Sequence, residues 1–239
     1  MTHGIISGGK TRAVSKEGIE LDMAVSALSR VVMMAALAPR LPPTSRVFVM
    51  GMPGGGEKGV LGDLNSEVTY THFGQTHMNT VAANEALVRH YGATGAQVFG
   101  LNPGFIATGL PSPLHGGGCG GPVMEKRVDW FSITADVSAN DTVLPLLVAP
   151  ELSARPGGLF SQRGVPILPT PVFADPAYVA RWMAELRALA ARAMAAGAAG
   201  GAGGAGGGAG AATAAAAAAA AAPAAPSRKA EADALKWAK

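Results

Sequence analysis

Residues 48–62 read FVMGMPGGGEKGVLG, an apolar, strand-like run that passes straight into a glycine-rich turn. Gly54, Gly56 and Gly59 spell G-x-G-x-x-G, and Gly51, Gly56 and Lys58 come within one residue of G-x-x-x-x-G-K-[ST]. A phosphate is held at a helix N-terminus, where free backbone N–H groups and the helix dipole favour negative charge, so either motif must open an amphipathic helix. The chain instead continues as VLGDLNSEV, interrupted by Gly62, Asp63 and Asn65 and without an apolar face recurring every three or four residues. The lysine is one place late, and Gly59 stands where the hydroxyl for a magnesium ion belongs. With 33 glycines in 239 residues the spacing also recurs by chance, as at Gly116, Gly118 and Gly121. The stretch therefore reads as a strand with a structural loop, and its flanks decide the fold.

On the N-terminal side, residues 17–37 carry Leu21, Val25, Leu28, Val32 and Ala35 at helical spacing, with Met23, Ala27, Val31 and Met34 widening the apolar face. A helix apolar over that much of its surface is buried on two sides. Pro39, Pro42 and Pro43 end it, and residues 46–50 (RVFVM) lack alternation, as expected of a parallel strand covered on both faces. The unit repeats: residues 75–91 are helical, with Met78, Val81, Val88 and Tyr91 near one face, Gly92 is the expected C-terminal cap, and residues 97–101 form a second strand. Two helix-to-strand units in succession favour a parallel sheet with crossover helices, an α/β fold. Helices are expected around 123–131 and 140–148, GLFSQRGVPILP reads as a last strand and its exit, and Asp175 then Pro176 as the cap and first position of a terminal helix burying Val179, Met183, Leu186 and Ala190.

Complexity collapses after about residue 195, leaving one domain over 1–195 and an alanine/glycine tail over 196–239, expected to be disordered because it offers too little side-chain area to offset ordering entropy. The net charge is +3, but the basic residues are scattered, which argues against a nucleic-acid partner. No run of 18 apolar, non-alanine residues is present to span a membrane. The single cysteine, Cys119, excludes an internal disulfide framework and fits a reducing, cytoplasmic setting, with an organelle transit segment left open.

The order helix, RVFVM, helix, QVFGL, then NPGFIATGL resembles the C-terminal half of the short-chain dehydrogenase/reductase family. The most specific piece is Pro103, Gly104 and Thr108, similar to that family's P-G-x-x-x-T segment; EGIE at 17–20, Ser29 with Arg30, LAPRL at 37–41, GGLFSQRGVPILPTP and DPAYVARWM support it. The resemblance covers residues 2–193 and implies a Rossmann-like parallel sheet with flanking helices. It matches residues 1–7 to the end of the fourth strand, so that strands one to three, the adenosine-binding part, are expected to be lacking. It also implies NAD or NADP as cofactor, with Pro103, Gly104 and Thr108 closing over the nicotinamide end, and a small carbonyl or alcohol as substrate.

The resemblance departs from the family's pattern at the chemistry. A tyrosine and, four residues later, a lysine stand on that family's active-site helix, and counting back from Pro103 puts Phe73 and His77 at those places. Phe has no proton to transfer, and a neutral imidazole gives a phenolate little help. Tyr70, three residues before Phe73 and seven before His77, shares their helical face if the helix begins early enough, which makes Tyr70 and His77 the candidate catalytic pair. Ser26 falls at the place of the family's helical asparagine. HGGGCGG at 115–121 is similar to the oxyanion loop of esterases, but no G-x-S-x-G elbow accompanies it. His115 with Cys119, and His72 with His77, fall short of a metal-ligand set, so no metal is expected.

Two readings stay open: an NAD(P)-linked oxidoreductase, and a truncated, degenerate pseudoenzyme serving as a binding or subunit-association module. By the resemblance, the helices at 17–37 and 75–91 form a dimer interface. An unpaired edge at the fourth-strand remnant adds a template for association, so a homo-oligomer or an aggregation-prone chain is expected.

Overall fold

The computed structural model describes residues 1–5, 11–104, 106 and 132–201. The segment HGGGCGG with His115 and Cys119, the helix expected at 123–131, Thr108 and the tail beyond Gly201 lie outside them.

Helix α1 is built from Leu21–Met23, a π-type turn Ala24–Leu28 and Ser29–Leu37. It starts four residues later than the apolar pattern suggests. Gly18, at φ +77°, turns the chain so that Val14 and Glu20 form an antiparallel bridge. Glu20 then caps the helix, its carboxylate accepting from Met23 N at 2.8 Å, while Asn65 Oδ1 accepts from Glu20 N at 2.8 Å. Burial of Glu20 pushes its carboxyl pKa up, partly offset by the backbone amides of Met23 and Asp22. By length and composition, residues Leu21–Arg40 also form a helix apolar enough to cross a membrane. Here α1 lies against α2, the long helix His77–Ala93.

A π-type turn, His72–Thr76, leads into α2, and Thr71 caps it by accepting from Gln75 N at 2.8 Å. Every residue from 79 to 88 is buried, because α2 packs against α1, the sheet and the C-terminal helix together. Gly92, expected as the cap, is instead helical. A Cβ there would stand 2.2 Å from Gly157 Cα, so glycine serves a close approach of two backbones. The helix ends at Thr94, and Gly95 at φ +85° makes the left-handed exit.

The sheet has the order β1-β2-β3-β4, with β1 Val47–Met50, β2 Val98–Leu101, β3 Leu159–Phe160 and β4 Pro166–Ile167. Strands β1, β2 and β3 are parallel, while β3 and β4 pair antiparallel. The expected exit of the last strand is thus a hairpin folded back on it. On the β1 edge away from β2, the Met1 ammonium donates to Phe48 O at 2.6 Å and Met50 N donates to Met1 O at 3.1 Å, so the first residues run beside β1.

Both sheet faces are covered, which is why RVFVM does not alternate. Val49 and Val98 face a large core with Met34, Leu87, Phe173 and Trp182; Phe48, Phe99 and Phe160 face a smaller one with Leu101, Leu146 and Leu152. Phe48 stacks on Phe99 at 5.3 Å between centroids. Helix α3, formed by Ala135–Ser138, Ala139–Val143 and Leu144–Val148, supplies Leu146 to the second core. Helix α4, Pro176–Gly201, begins as its sequence announces, Ala177 N donating to Asp175 Oδ1 at 2.9 Å. Val179, Met183, Leu186 and Ala190 are buried, joined by Trp182. Each large side chain so buried contributes about 1.5–3 kcal/mol relative to exposure. The helix continues past residue 195 to Gly201.

Candidate functional site

In an open α/β sheet, ligands bind in the crevice at the carboxyl ends of the parallel strands. Here the carboxyl ends of neighbouring parallel strands are Met50 of β1 and Leu101 of β2. Beyond β2, Asn102 Oδ1 accepts from Gly104 N at 3.0 Å, closing an Asx turn across Pro103. Gly104 sits at φ +64°, and the Gln162 side chain occupies the space a Cβ would fill. Beyond β1, Gly51 N donates to Leu101 O at 3.1 Å, and a Cβ on Gly51 would touch Asn84 Cβ at 3.4 Å. A glycine thus follows each strand within three residues, Gly51 after β1 and Gly104 after β2.

Below these strand ends lies a buried polar cluster from three elements. Arg30 of α1, 3% exposed, donates to the carbonyls of His3 and Met50 and, at 2.9 Å, to Asn84 Oδ1 of α2. Asn84 Nδ2 donates to Ser26 O and Thr80 O. Ser26 Oγ accepts from Ile5 N at 2.9 Å and donates to Ile5 O at 3.0 Å. Burial lowers the guanidinium pKa to about 10, which leaves it charged at neutral pH. The His3 imidazole is lowered first by its own burial and then by that cation. The cluster fastens residues 1–5, β1 and α2 to one point. Arg30 and Asn84 are its centre, and the sequence flags neither as central. Their signal is weak: polar residues inside otherwise apolar helical runs.

The glycine loop of residues 51–62 contrasts with this open turn. Its amides are taken by protein acceptors: Gly54 N by Glu85 Oε2 at 2.9 Å, Gly56 N by Thr170 Oγ1 at 3.2 Å, Val60 N by Asn79 Oδ1 at 2.8 Å and Gly62 N by Glu185 Oε2 at 2.8 Å. Glu85, 1% exposed, also accepts from Thr170 N and from the Thr170 hydroxyl. Carboxylates stand where a phosphate loop would hold its anion.

Of the sequence-derived site residues, Pro103 and Gly104 follow the carboxyl end of β2. Tyr70 is half-buried in the segment before the Thr71 cap, whose backbone is extended at φ −131°, ψ 111°. His77 is half-buried at the first position of α2, its carbonyl accepting from the Thr80 hydroxyl at 2.7 Å. Between them Gly74 departs from helical geometry at φ −88°, ψ −120°. Tyr70 and His77 therefore sit on different elements and share no helical face, because the helix begins only after the cap. Among the described residues, no group of three or more His, Cys, Asp or Glu is placed to hold a metal ion.

No family model matches the chain. The chain is similar to a Saccharomyces cerevisiae protein described as an uncharacterized oxidoreductase, with 37% identity over 187 residues. That alignment covers 72% of this chain and 60% of the yeast protein, so the chain spans less than two thirds of the relative's length.

Proposed function

We propose that the chain is an NAD(P)-linked oxidoreductase of the short-chain dehydrogenase/reductase kind, acting on a small carbonyl or alcohol. The observation that carries this reading is the turn Asn102–Pro103–Gly104 at the carboxyl end of a parallel strand, in a chain similar to a yeast oxidoreductase. The residues fit the nicotinamide end of the cofactor: the positive φ of Gly104 admits a close approach of the backbone, and the overlying Gln162 side chain is exposed and free to swing away. They do not fit a pyrophosphate on the glycine loop after β1, where the amides of Gly54, Gly56, Val60 and Gly62 are already bonded to protein acceptors, two of them carboxylates.

The bound cofactor supplies the hydride chemistry. The chain's own part is to seat and orient. By the resemblance, Pro103, Gly104 and Thr108 close over the nicotinamide end; His77, at the place of the family's lysine, is the candidate for the ribose, and Tyr70, on the separate segment before the helix, the candidate for the substrate proton. Arg30 and Asn84 hold the end of β1, which is bonded through Gly51 N to the end of β2 that carries the Asn102–Gly104 turn.

Titration of the full chain with NADH and NADPH, following nicotinamide fluorescence and melting temperature together, tests this. Saturable binding with a raised melting temperature is expected, and Tyr70→Phe should then abolish turnover while leaving binding. No binding up to millimolar cofactor overturns the reading and favours a non-catalytic module, which Phe73 at the place of the family's tyrosine also favours.

A further inference from the structure

Helix α4 is the element that closes the fold. It packs along α2, and it holds the glycine loop through Glu185 on Gly62 N, through the Tyr178 hydroxyl on Lys58 O at 3.2 Å, and through Trp182, which fills the space beside Gly59. At the far end of α2 the two helices meet through His90, whose Nε2 lies 2.9 Å from Arg187 Nη2. A guanidinium nitrogen only donates, so Nε2 must be the acceptor and the ring proton must sit on Nδ1. An imidazolium has no lone pair to offer, and it would face a second cation.

We propose that the His90–Arg187 contact is a pH-sensitive latch: protonation of His90 releases α4 from the end of α2 and, with it, the clamp on the glycine loop of residues 51–62.

The surroundings of His90 fit this role. Among the described residues, the charged group facing it is Arg187 of α4, and its titratable neighbour on α2 is Tyr91, whose ring meets it edge-on at 5.2 Å and whose phenol is pushed up by burial. The last turn of a helix ordinarily favours a cationic side chain. Burial, and then Arg187, outweigh that preference and push His90 down to about 4. With a folded value below the ordinary 6.5, the closed form binds the proton less well than the open form, so closure is fully favoured above pH 6.5 and weakens as pH falls toward 4. If opening restores the ordinary value, the opening constant at pH 5 rises about thirtyfold over that at pH 7.5.

Hydrogen exchange of the full chain at pH 7.5 and pH 5, corrected for intrinsic rates, reads this directly. The opening constant of amides in α4 and in residues 54–62 is expected to rise by that factor, with β1, β2 and α3 unchanged, and His90→Gln should remove the response. A rise spread evenly over β1, β2 and α3, no rise at all, or a rise retained in His90→Gln overturns the latch. Should the variant fail to fold, the wild-type ring decides by NMR. A neutral Nδ1–H tautomer persisting at pH 5 supports the latch, and a ring titrating near 6.5 overturns it. None of these readouts depends on cofactor binding.

Discussion

Two glycine-bearing turns leave neighbouring parallel strands on the same side of the sheet, and they do opposite things. The loop after β1 is rich in glycine and has its amides bonded to Glu85, Thr170, Asn79 and Glu185, with Trp182 laid against it. The turn after β2 has one decisive glycine, Gly104, and among the described residues the side chain over it is the exposed Gln162. The glycine-dense loop is an internal seam, and the sparse turn, among the described residues, is the one capped by a side chain able to move. Glycine supplies backbone access; what fills that access is decided by the groups that converge on it.

Four substitutions separate the seam from the turn after β2. The largest effect is expected from Glu85→Ala, which strands three donors, the buried Thr170 N and hydroxyl and the part-buried Gly54 N. A loss of about 3–5 kcal/mol by urea unfolding is expected, and a loss below 1 kcal/mol would mean that water replaces the carboxylate and the seam is wet. Next is Gly59→Ala. Its Cβ would meet Trp182 at 2.6 and 2.7 Å and Ala82 at 2.9 Å, at a residue with φ +61°. Overpacking and the left-handed backbone together should cost about 2–4 kcal/mol, measured as a lowered melting temperature without a change in cofactor affinity.

Gly104→Ala is the counterpart. The severe clash is with Gln162 Oε1 and Cδ, the far end of an exposed side chain that can turn away, which leaves a tight 3.2 Å contact with Gln162 Cβ and a backbone penalty of about 1–2 kcal/mol. Cofactor binding should fall much further than stability does, and equal losses in both would erase the distinction between the two turns. The smallest effect is expected at Asp63, beyond the seam. Although its partial burial acts in the opposite direction, donors from the amides of Val68, Thr69 and Glu67 and from the Gln75 side chain hold its carboxyl below the ordinary range. Its contribution is therefore complete above the unfolded value near 3.9 and is lost as pH falls through the lower folded value. Asp63→Asn should cost under about 1 kcal/mol at pH 6, and the gap in urea midpoint between it and the wild type should narrow at pH 3.

Much of this arrangement is legible in the residues. Strands β1 and β2 are marked by short β-branched and aromatic runs between a proline cluster or glycine cap and a glycine turn, and α4 by Asp175, Pro176 and a buried face repeating every three or four residues. The start of α1 is not, because the left-handed Gly18 and the Val14–Glu20 bridge draw residues 17–20 into a turn. Gly92 reads as a stop and is not one, since a cap and a helix-to-backbone contact require the same residue. The pairing of Tyr70 with His77 on one helical face depends on where the helix starts, and Thr71 sets that point after Tyr70.

The sequence by itself determined the α/β alternation, the two-sided burial of the strands, the terminal helix and the exclusion of a phosphate loop. These come from periodicity, capping and backbone conformation, which act over a few residues. The tertiary structure decided the rest: that Arg30, Asn84 and Ser26 meet beneath the strand ends, that Glu85 reaches both Gly54 and Thr170, and that His90 meets Arg187 across two helices. Those contacts join residues far apart in the chain, 27 positions for Arg30 and His3 and 97 for His90 and Arg187. A polar residue in an apolar run shows that some partner must exist; only packing shows which one.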